Sequence, residues 1–517
     1  MKNIFTALSS SRMFWTLAGM LGLLHFFWML TLPFWPFTDL PNHLAVAAIY
    51  RDYDAPDSLY RNYVLLERLF QPNTFFPWFC SLPFFASVEQ GARVFYGLYI
   101  LALPLSVWSL LRRLGGDGRG AVLSLLLLYH YSVTWGFVGY TASLPAFCGA
   151  WSCQLAWLRD GKSKHLLPLS LFLVLLFFLH GQTTLFALFF LGLQAAYNRR
   201  RKLSSLVPLG AAALPVLLFV TAWLTAGGGF QPGSHTGHLL QDYYLGGEFL
   251  AAWPQRLADA VTLDNRALYE GAAGYLAASF FTLVLGAFAW NRCRYSRKPW
   301  KQHRLFSVWL LLFLSLGGVL VLPREIDGHG IIYERFSVFL LLGLVLLAGA
   351  GSVRPLGKRA VAAMLLVSLL HGAAWSEYFW SFRQDSASFN ASLLPAAESG
   401  LVAPLFYDNS FRGRPVYLHF ANYQTLDNGG LAVNAFIDYR FGTIRRHVDE
   451  TTLPRYDEWI SWRWSYENLY PEVPWLLVRG EAPDRADEFF AQYHLEKEQG
   501  PWQLWRKNGN NNNNKQE

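Results

Sequence analysis

Long apolar runs dominate the chain, separated by short polar stretches that hold most of its Lys and Arg. Crossing a hydrocarbon core of roughly 30 Å takes about 20 apolar residues, so each run of that size predicts a transmembrane helix. About eleven qualify, near 13–34, 93–111, 120–135, 137–158, 165–180, 182–198, 205–226, 271–290, 305–323, 333–350 and 360–380. Phe75–Ser87 is short and broken by Pro77 and Pro83, and reads as an interfacial or re-entrant piece. From about Asp385 the runs stop. Pro415–Asn422, Pro474–Arg479, Tyr493–Gln499 and Pro501–Lys507 read as strands, the last two as a hairpin around Gln499-Gly500. Asp484–Tyr493 reads as a short helix. The pattern predicts a membrane all-α protein of about 11 transmembrane helices with a small outer α/β or α+β domain at its C-terminus. The transmembrane part covers 1–384, with outer loops 36–92, 227–270 and 324–332; the C-terminal domain covers 385–508, and the Asn-rich 509–517 reads as disordered.

Composition agrees with lipid as the solvent. Of 517 residues, 53% are hydrophobic, 17% aromatic and only 15% charged, whereas soluble domains carry about a quarter charged residues. The net charge of +8 does not form one patch, which argues against a nucleic-acid partner. It recurs as clusters between alternate runs: Arg112, Arg113 and Arg119; Arg159, Lys162 and Lys164; Arg199–Lys202; Arg292–Arg304; Arg354–Arg359. The opposite loops are longer and contain no Lys, so the positive-inside rule places the N-terminus in the cytoplasm. An odd number of crossings then puts the residues after Trp380 outside. Cys80, Cys148, Cys153 and Cys293 show no CxxC spacing, which disfavours a disulfide framework or zinc site. Met13–Leu32 leads into Pro33 and Pro36 rather than a small-residue cleavage site and reads as a retained helix.

Inside the runs, ionisable groups are almost absent, with His25 and His371 as exceptions, which disfavours an ion-coupled transporter. Polar chemistry gathers instead at the outer ends. Thr38-Asp39-Leu40-Pro41-Asn42-His43-Leu44 follows the first run. Asp39 there could remove a proton from a hydroxyl, with His43 sharing its site, or it could cap a helix that His43 orients. Pro323-Arg324-Glu325-Ile326-Asp327-Gly328-His329-Gly330 precedes Tyr333-Glu334-Arg335-Phe336. Arg335 could grip a lipid-linked phosphate bidentately, or it could snorkel to headgroups or pair with Glu334 or Glu325. Glu325, Asp327 and His329 could bind a divalent cation with Asp39, Mg or Mn being the ions suited to such a set, or they could line a solvated loop. His180 could contact substrate or shape a helix turn, and Glu67 with Arg68 could complete an acidic or phosphate site or form a surface ion pair. No residue set fixes a cofactor, and the metal requirement is left open. The aromatics Trp459, Trp462, Trp464, Tyr466, Tyr470 and Trp475 read as core and membrane belt or as a sugar-stacking surface.

The order of parts resembles the GT-C superfamily of integral-membrane glycosyltransferases, which use polyprenyl-phosphate sugars. The resemblance is carried by one crossing followed by Asp39-Leu40-Pro41-Asn42-His43, the proline-broken Gln71-Pro72-Asn73-Thr74-Phe75-Phe76-Pro77, Leu110-Leu111-Arg112-Arg113-Leu114-Gly115, and Trp135-Gly136-Phe137-Val138-Gly139-Tyr140. The last is similar to a segment of uncharacterised bacterial members. The resemblance implies a GT-C-type fold over about residues 10–380. It also implies a catalytic or acceptor-positioning role for Asp39, with Arg335 and Arg324 holding the donor phosphate. It further implies a multi-pass bacterial inner-membrane protein whose C-terminal domain is periplasmic, with a membrane lipid-linked sugar as donor and an envelope glycan, lipid or protein as acceptor. Some members carry a second acidic group between the third and fourth crossings; 132–140 has none, so Glu67, Glu325 or Asp327 would have to take that place. The alternative is a non-catalytic envelope polysaccharide assembly or export protein whose outer domain binds glycan.

Overall fold

A computed structural model of the chain describes residues 11–66, 70–199, 206–225, 243–244, 248–294, 303–325, 330–351, 355–395, 400–433, 443–449, 451–453, 455, 458–463, 473–482 and 490–508. The described chain is predominantly helical. In chain order the main helices are α1 (Ser11–Thr31), α2 (Leu40–Asp52), α3 (Phe75–Cys80), α4 (Val88–Arg113), α5 (Val138–Asp160), α6 (Leu166–Leu179) and α7 (Gly181–Arg199). They continue with α8 (Val207–Trp223), α9 (Trp253–Thr262), α10 (Gly271–Arg294), α11 (His303–Val321), α12 (Arg335–Ala350), α13 (Lys358–Asp385) and α14 (Tyr423–Asp427). Among the described residues four stretches, Arg12–Thr31, Val88–Arg113, Gly271–Arg294 and Lys358–Leu393, are long and apolar enough to cross a membrane by length and composition. Ser163–Leu179, Val207–Trp223, Leu305–Val321 and Arg335–Ala350 are apolar but shorter.

The chain divides into two compact units. The first comprises 1–31, 70–75 and 96–378; the second comprises 32–69, 76–95 and 379–517. The tail therefore groups with residues 32–69 and 76–95.

In the first unit, the apolar run near 120–135 does not form a regular α-helix. Gly118–Leu127 is a 3-10 stretch, followed by one short α-turn, Tyr131–Thr134. Close approach to α12 accompanies this: a Cβ on Gly120 would lie 2.7 Å from the Gly349 Cα, and one on Gly116 would lie 2.8 Å from the Ala350 Cα. Asp117 clamps the entry, pairing with Arg119 at 2.7 Å and accepting the Leu356 N–H at 3.0 Å. The C-terminus of α11 is tied by Arg256 of α9, whose Nη1 donates to the carbonyls of Val319 and Leu320, each at 3.1 Å, and to that of Leu322. Those are the carbonyls that a helix end leaves without intrahelical partners.

The second unit is built on a mixed five-stranded sheet. Its strands are β2 (Leu401–Phe406), β3 (Leu431–Ala432), β5 (Trp475–Arg479), β6 (Tyr493–Gln499) and β7 (Trp502–Lys507), in the order β3-β2-β5-β7-β6. β2 runs parallel to β3 and β5, while β7 is antiparallel to β5 and β6. A separate antiparallel pair joins β1 (Val64–Leu66) to β4 (Ile444–Arg446). Both faces of the central strands are covered. Leu401, Ala403, Leu405, Leu476 and Val478 pack with Val46 and Ile49 of α2, and Val402, Phe406, Leu477 and Trp502 pack with Phe389, Tyr417, Phe420 and Tyr423. Such two-sided burial writes strands as continuous apolar runs rather than as alternation.

Pro415–Asn422, another largely apolar stretch, is nevertheless not a strand. It forms turns and a 3-10 turn, Phe420–Asn422, with Phe420 N–H donating to the Tyr417 carbonyl and Asn422 N–H to the His419 carbonyl, both at 3.0 Å. Conversely, Leu401–Phe406 is a strand despite Pro404. Its β3 partner covers only Leu401 and Val402, so the missing proline N–H breaks no ladder bond. The expected helix Asp484–Tyr493 falls largely outside the described residues; Tyr493 itself opens β6.

Candidate functional site

In the second unit, α2 begins at Leu40 with Asp39 in the N-cap position and Pro41 in its first turn, where a proline is tolerated. The Asp39 carbonyl accepts the His43 N–H at 3.2 Å, but its carboxylate makes no capping bond. It turns instead to His419, whose Nε2 lies 3.3 Å from Oδ1. On the other side of the ring, His419 Nδ1 lies 2.9 Å from Glu458 Oε1. His419 and Glu458 are almost wholly buried, whereas the Asp39 side chain keeps 23% exposure. α2 packs against the Phe420–Asn422 turn, and the 3-10 turn Glu458–Arg463 packs beside β2, so packing brings the three side chains together. A bond from Asn422 Nδ2 to Asn42 Oδ1 at 2.6 Å fixes α2 against the turn that bears His419.

The electrostatics follow from the geometry. Burial opposes charge on His419, but the bonds to Asp39 and Glu458 more than offset it and raise its pKa to about 9. At neutral pH His419 is therefore an imidazolium held between the Asp39 and Glu458 side chains, with Asp39 at the solvent-facing end. His43, edge-on to Phe76 at 6.2 Å between centroids, goes the other way. Burial lowers its pKa to about 4, against the pull of Asp39 and with the help of the His419 charge, so it stays neutral.

The first unit holds a second polar cluster at the start of α12. Arg335 is the first residue of the helix; its Nη1 donates to Gln182 Oε1 at 2.9 Å, and its guanidinium lies 4.6 Å from the centre of the Phe137 ring. Gln182 is held in turn by donating Nε2–H to the Ile332 carbonyl at 3.1 Å, and Tyr140 donates its hydroxyl to the Arg335 carbonyl. Gly136 sits at φ +83, and a Cβ on Gly139 would lie 2.1 Å from the Leu179 carbonyl oxygen, so this approach requires glycine. Asn73, at φ +67, and Pro72 abut the same turn: a Cβ on Gly139 would meet Asn73 Oδ1 at 3.3 Å, and one on Gly181 would meet Pro72 at 3.3 Å. Of the quoted motifs, Trp135–Tyr140 contributes Phe137 and Tyr140 to the surroundings of Arg335, and Pro72 and Asn73 of Gln71–Pro77 approach Gly181 and Gly139.

Arg324 is 72% exposed, and its Nε pairs with Glu334 Oε1 at 3.2 Å. His180 serves the turn between α6 and α7: its Nδ1 accepts the Thr183 N–H at 3.2 Å and its carbonyl accepts the Thr184 N–H at 3.0 Å, as an N-cap does. Glu325 is exposed. Glu67, Asp327 and His329 lie outside the described residues, as do Arg68, Trp464, Tyr466 and Tyr470. Asp39 and His43 belong to the second unit, and Arg335, Arg324 and His180 to the first.

Among the described residues no three His, Cys, Asp or Glu side chains gather as a metal-ion set. In the Asp39 cluster, His419 turns both ring nitrogens to carboxylates, which suits a proton-bearing ring rather than a metal ligand. His419 and Glu458 were not singled out in the sequence: one lies in a run that reads as a strand, the other beside the tail aromatics. A histidine inside an otherwise apolar stretch was the available signal for the first.

No family model matches the chain, and no curated protein does. A role for these residues follows from their chemistry.

Proposed function

We propose that the protein is a membrane glycosyltransferase of GT-C type that moves a sugar from a polyprenyl-phosphate donor to a cell-envelope acceptor. The proposal includes about eleven crossings, a cytoplasmic N-terminus and a periplasmic C-terminal domain in a bacterial inner membrane. Asp39 removes the proton from the acceptor hydroxyl, and Arg335 holds the donor phosphate and offsets charge as it departs. The observation that carries the reading is the state of the Asp39 carboxylate. It is partly exposed, it is not spent on its helix, and the buried His419–Glu458 pair holds it in place. In this reading His419 and Glu458 are positioning residues: a protonated ring fixes one Asp39 oxygen, and Glu458 balances the ring's charge.

The test is incubation of the purified full-length protein with a panel of polyprenyl-phosphate sugars and envelope acceptors, followed by product analysis. Turnover of one donor that falls at least 100-fold in Asp39→Asn, with the fold intact, is the expected result. Equal turnover in that variant would remove Asp39 from the chemistry, and the absence of turnover with every donor would favour a glycan-assembly role.

A further inference from the structure

Glu334 is the residue immediately before α12 and next to Arg335, yet its side chain makes no capping bond. It is only 3% exposed. One oxygen pairs with Arg324, while the other, Oε2, is buried without a hydrogen-bond partner. A buried carboxylate oxygen left without a bond costs about 1–3 kcal/mol or more, so it survives where another requirement holds it. The charges facing it are mixed. Arg324 reaches it from the segment after α11, and Arg335 follows it on α12. Asp259 faces it from α9; that carboxylate accepts the Tyr333 hydroxyl at 2.7 Å and the Gln255 amide at 2.9 Å. Arg256, also on α9, lies 4.5 Å from the centre of the Tyr333 ring and is committed to the α11 carbonyls.

A negative charge one residue from the proposed phosphate-holding guanidinium opposes the anion and competes with it for Arg324. Protonation of Glu334 removes both obstacles. We propose that phosphodiester binding at Arg335 and Arg324 is coupled to uptake of one proton by Glu334. This rests on the reading of Arg335 as the phosphate-holding group. The buried, unbonded Oε2 is where that proton would sit, while Oε1 stays with Arg324. A bound anion beside the group raises its proton affinity further, and linkage requires that deprotonation weaken the anion in equal measure.

The probe is dioctyl phosphate, a lipid-soluble phosphodiester with no ionisation of its own between pH 5 and 9. Its binding to the full-length protein in nanodiscs is measured by calorimetry in two buffers of different ionisation enthalpy. Wild type should take up as much as one proton per probe, and affinity should fall by up to about 10-fold per pH unit over the pH range in which that uptake is seen. Glu334→Gln should bind with nearly constant affinity over that range and no proton uptake. Arg324→Gln should bind more weakly at every pH and shift the fall to higher pH, because one of the cations that favour the charged form of Glu334 is gone. Diethyl phosphate, without the alkyl tails, separates headgroup recognition from membrane partition: similar proton uptake with the two probes supports the proposal, and uptake seen only with the long-chain probe but retained in Glu334→Gln overturns it. Binding that is insensitive to pH in wild type, yet lost in Arg335→Gln, would overturn the proton linkage and leave the phosphate-holding role intact. No binding at any pH by wild type or Glu334→Gln would overturn both.

Discussion

Nε2 of His419 stands 3.3 Å from Oδ1 of Asp39, joining the tail of the chain to the first turn of a helix some 380 positions earlier. His419 has a pKa raised to about 9, above its unfolded value of about 6.5. Its contribution to stability is therefore fully present below pH 6.5 and is lost as pH rises through 9, amounting to at most about 3 kcal/mol. His43, with its pKa lowered to about 4, contributes stability that is present above pH 6.5 and lost as pH falls through 4. Thermal unfolding of the purified protein and its two histidine variants, compared across this pH range, reads the two contributions separately. His419→Gln should flatten the alkaline limb alone and His43→Gln the acid limb alone; limbs unchanged by both variants would reject this account.

Glu458 is the deeper of the two carboxylates on His419. Glu458→Gln should move the alkaline limb to lower pH, because one of the charges that raise the His419 pKa is gone, and should cost about 3–5 kcal/mol. Denaturant titration at pH 7 and pH 8.5 measures both effects. A variant with wild-type stability at both values would mean that the pair carries no charge.

Gly139 is a position where space decides. A Cβ there would sit 2.1 Å from a backbone carbonyl oxygen, whereas one on Gly192, in α7, would meet nothing within 4 Å. Gly139→Ala should lower the melting temperature by several degrees or prevent accumulation of folded protein. Gly192→Ala should be neutral or stabilise by up to about 1 kcal/mol, through helix propensity. Matching effects at the two sites would contradict the close approach.

Arg256 closes the end of α11 from a single guanidinium nitrogen, Nη1, while its planar group lies 4.5 Å from the centre of the Tyr333 ring and 5.3 Å from that of Tyr243. A lysine ammonium has no planar face to stack on those rings. Arg256→Lys should lose about as much stability as Arg256→Ala, on the order of 2–3 kcal/mol, measured by unfolding in a fixed detergent. Full rescue by lysine would show that charge rather than shape matters.

The parts legible in the sequence were those specified locally. The apolar runs at α1, α4, α10 and α13 announce their helices by length, and the hairpin of β6 and β7 turns at Gly500, whose φ of +59 suits the glycine seen there. Asp39 was legible as a carboxylate just past a membrane-length run. Its partners were not, because His419 and Glu458 reach it only through the packing of α2 on the tail, which no local pattern encodes. The apolar stretches 401–406 and 415–422 look alike in composition, and only partners distant in sequence decide that one is a strand and the other a set of turns. The 3-10 stretch Gly118–Leu127 was hidden for a similar reason: its glycines matter through contact with α12, far along the chain.

The sheet ends on β6, where Glu496, Lys497 and Glu498 are exposed and pairing with β7 shifts register between Leu495 and Lys497. A second molecule seeking to extend the ladder past that border would have to strip water from three charges and follow an irregular template. Concentrated preparations should therefore resist fibril formation through this border, and replacing the three charged residues by Thr would remove the safeguard while leaving the interior of the sheet unchanged.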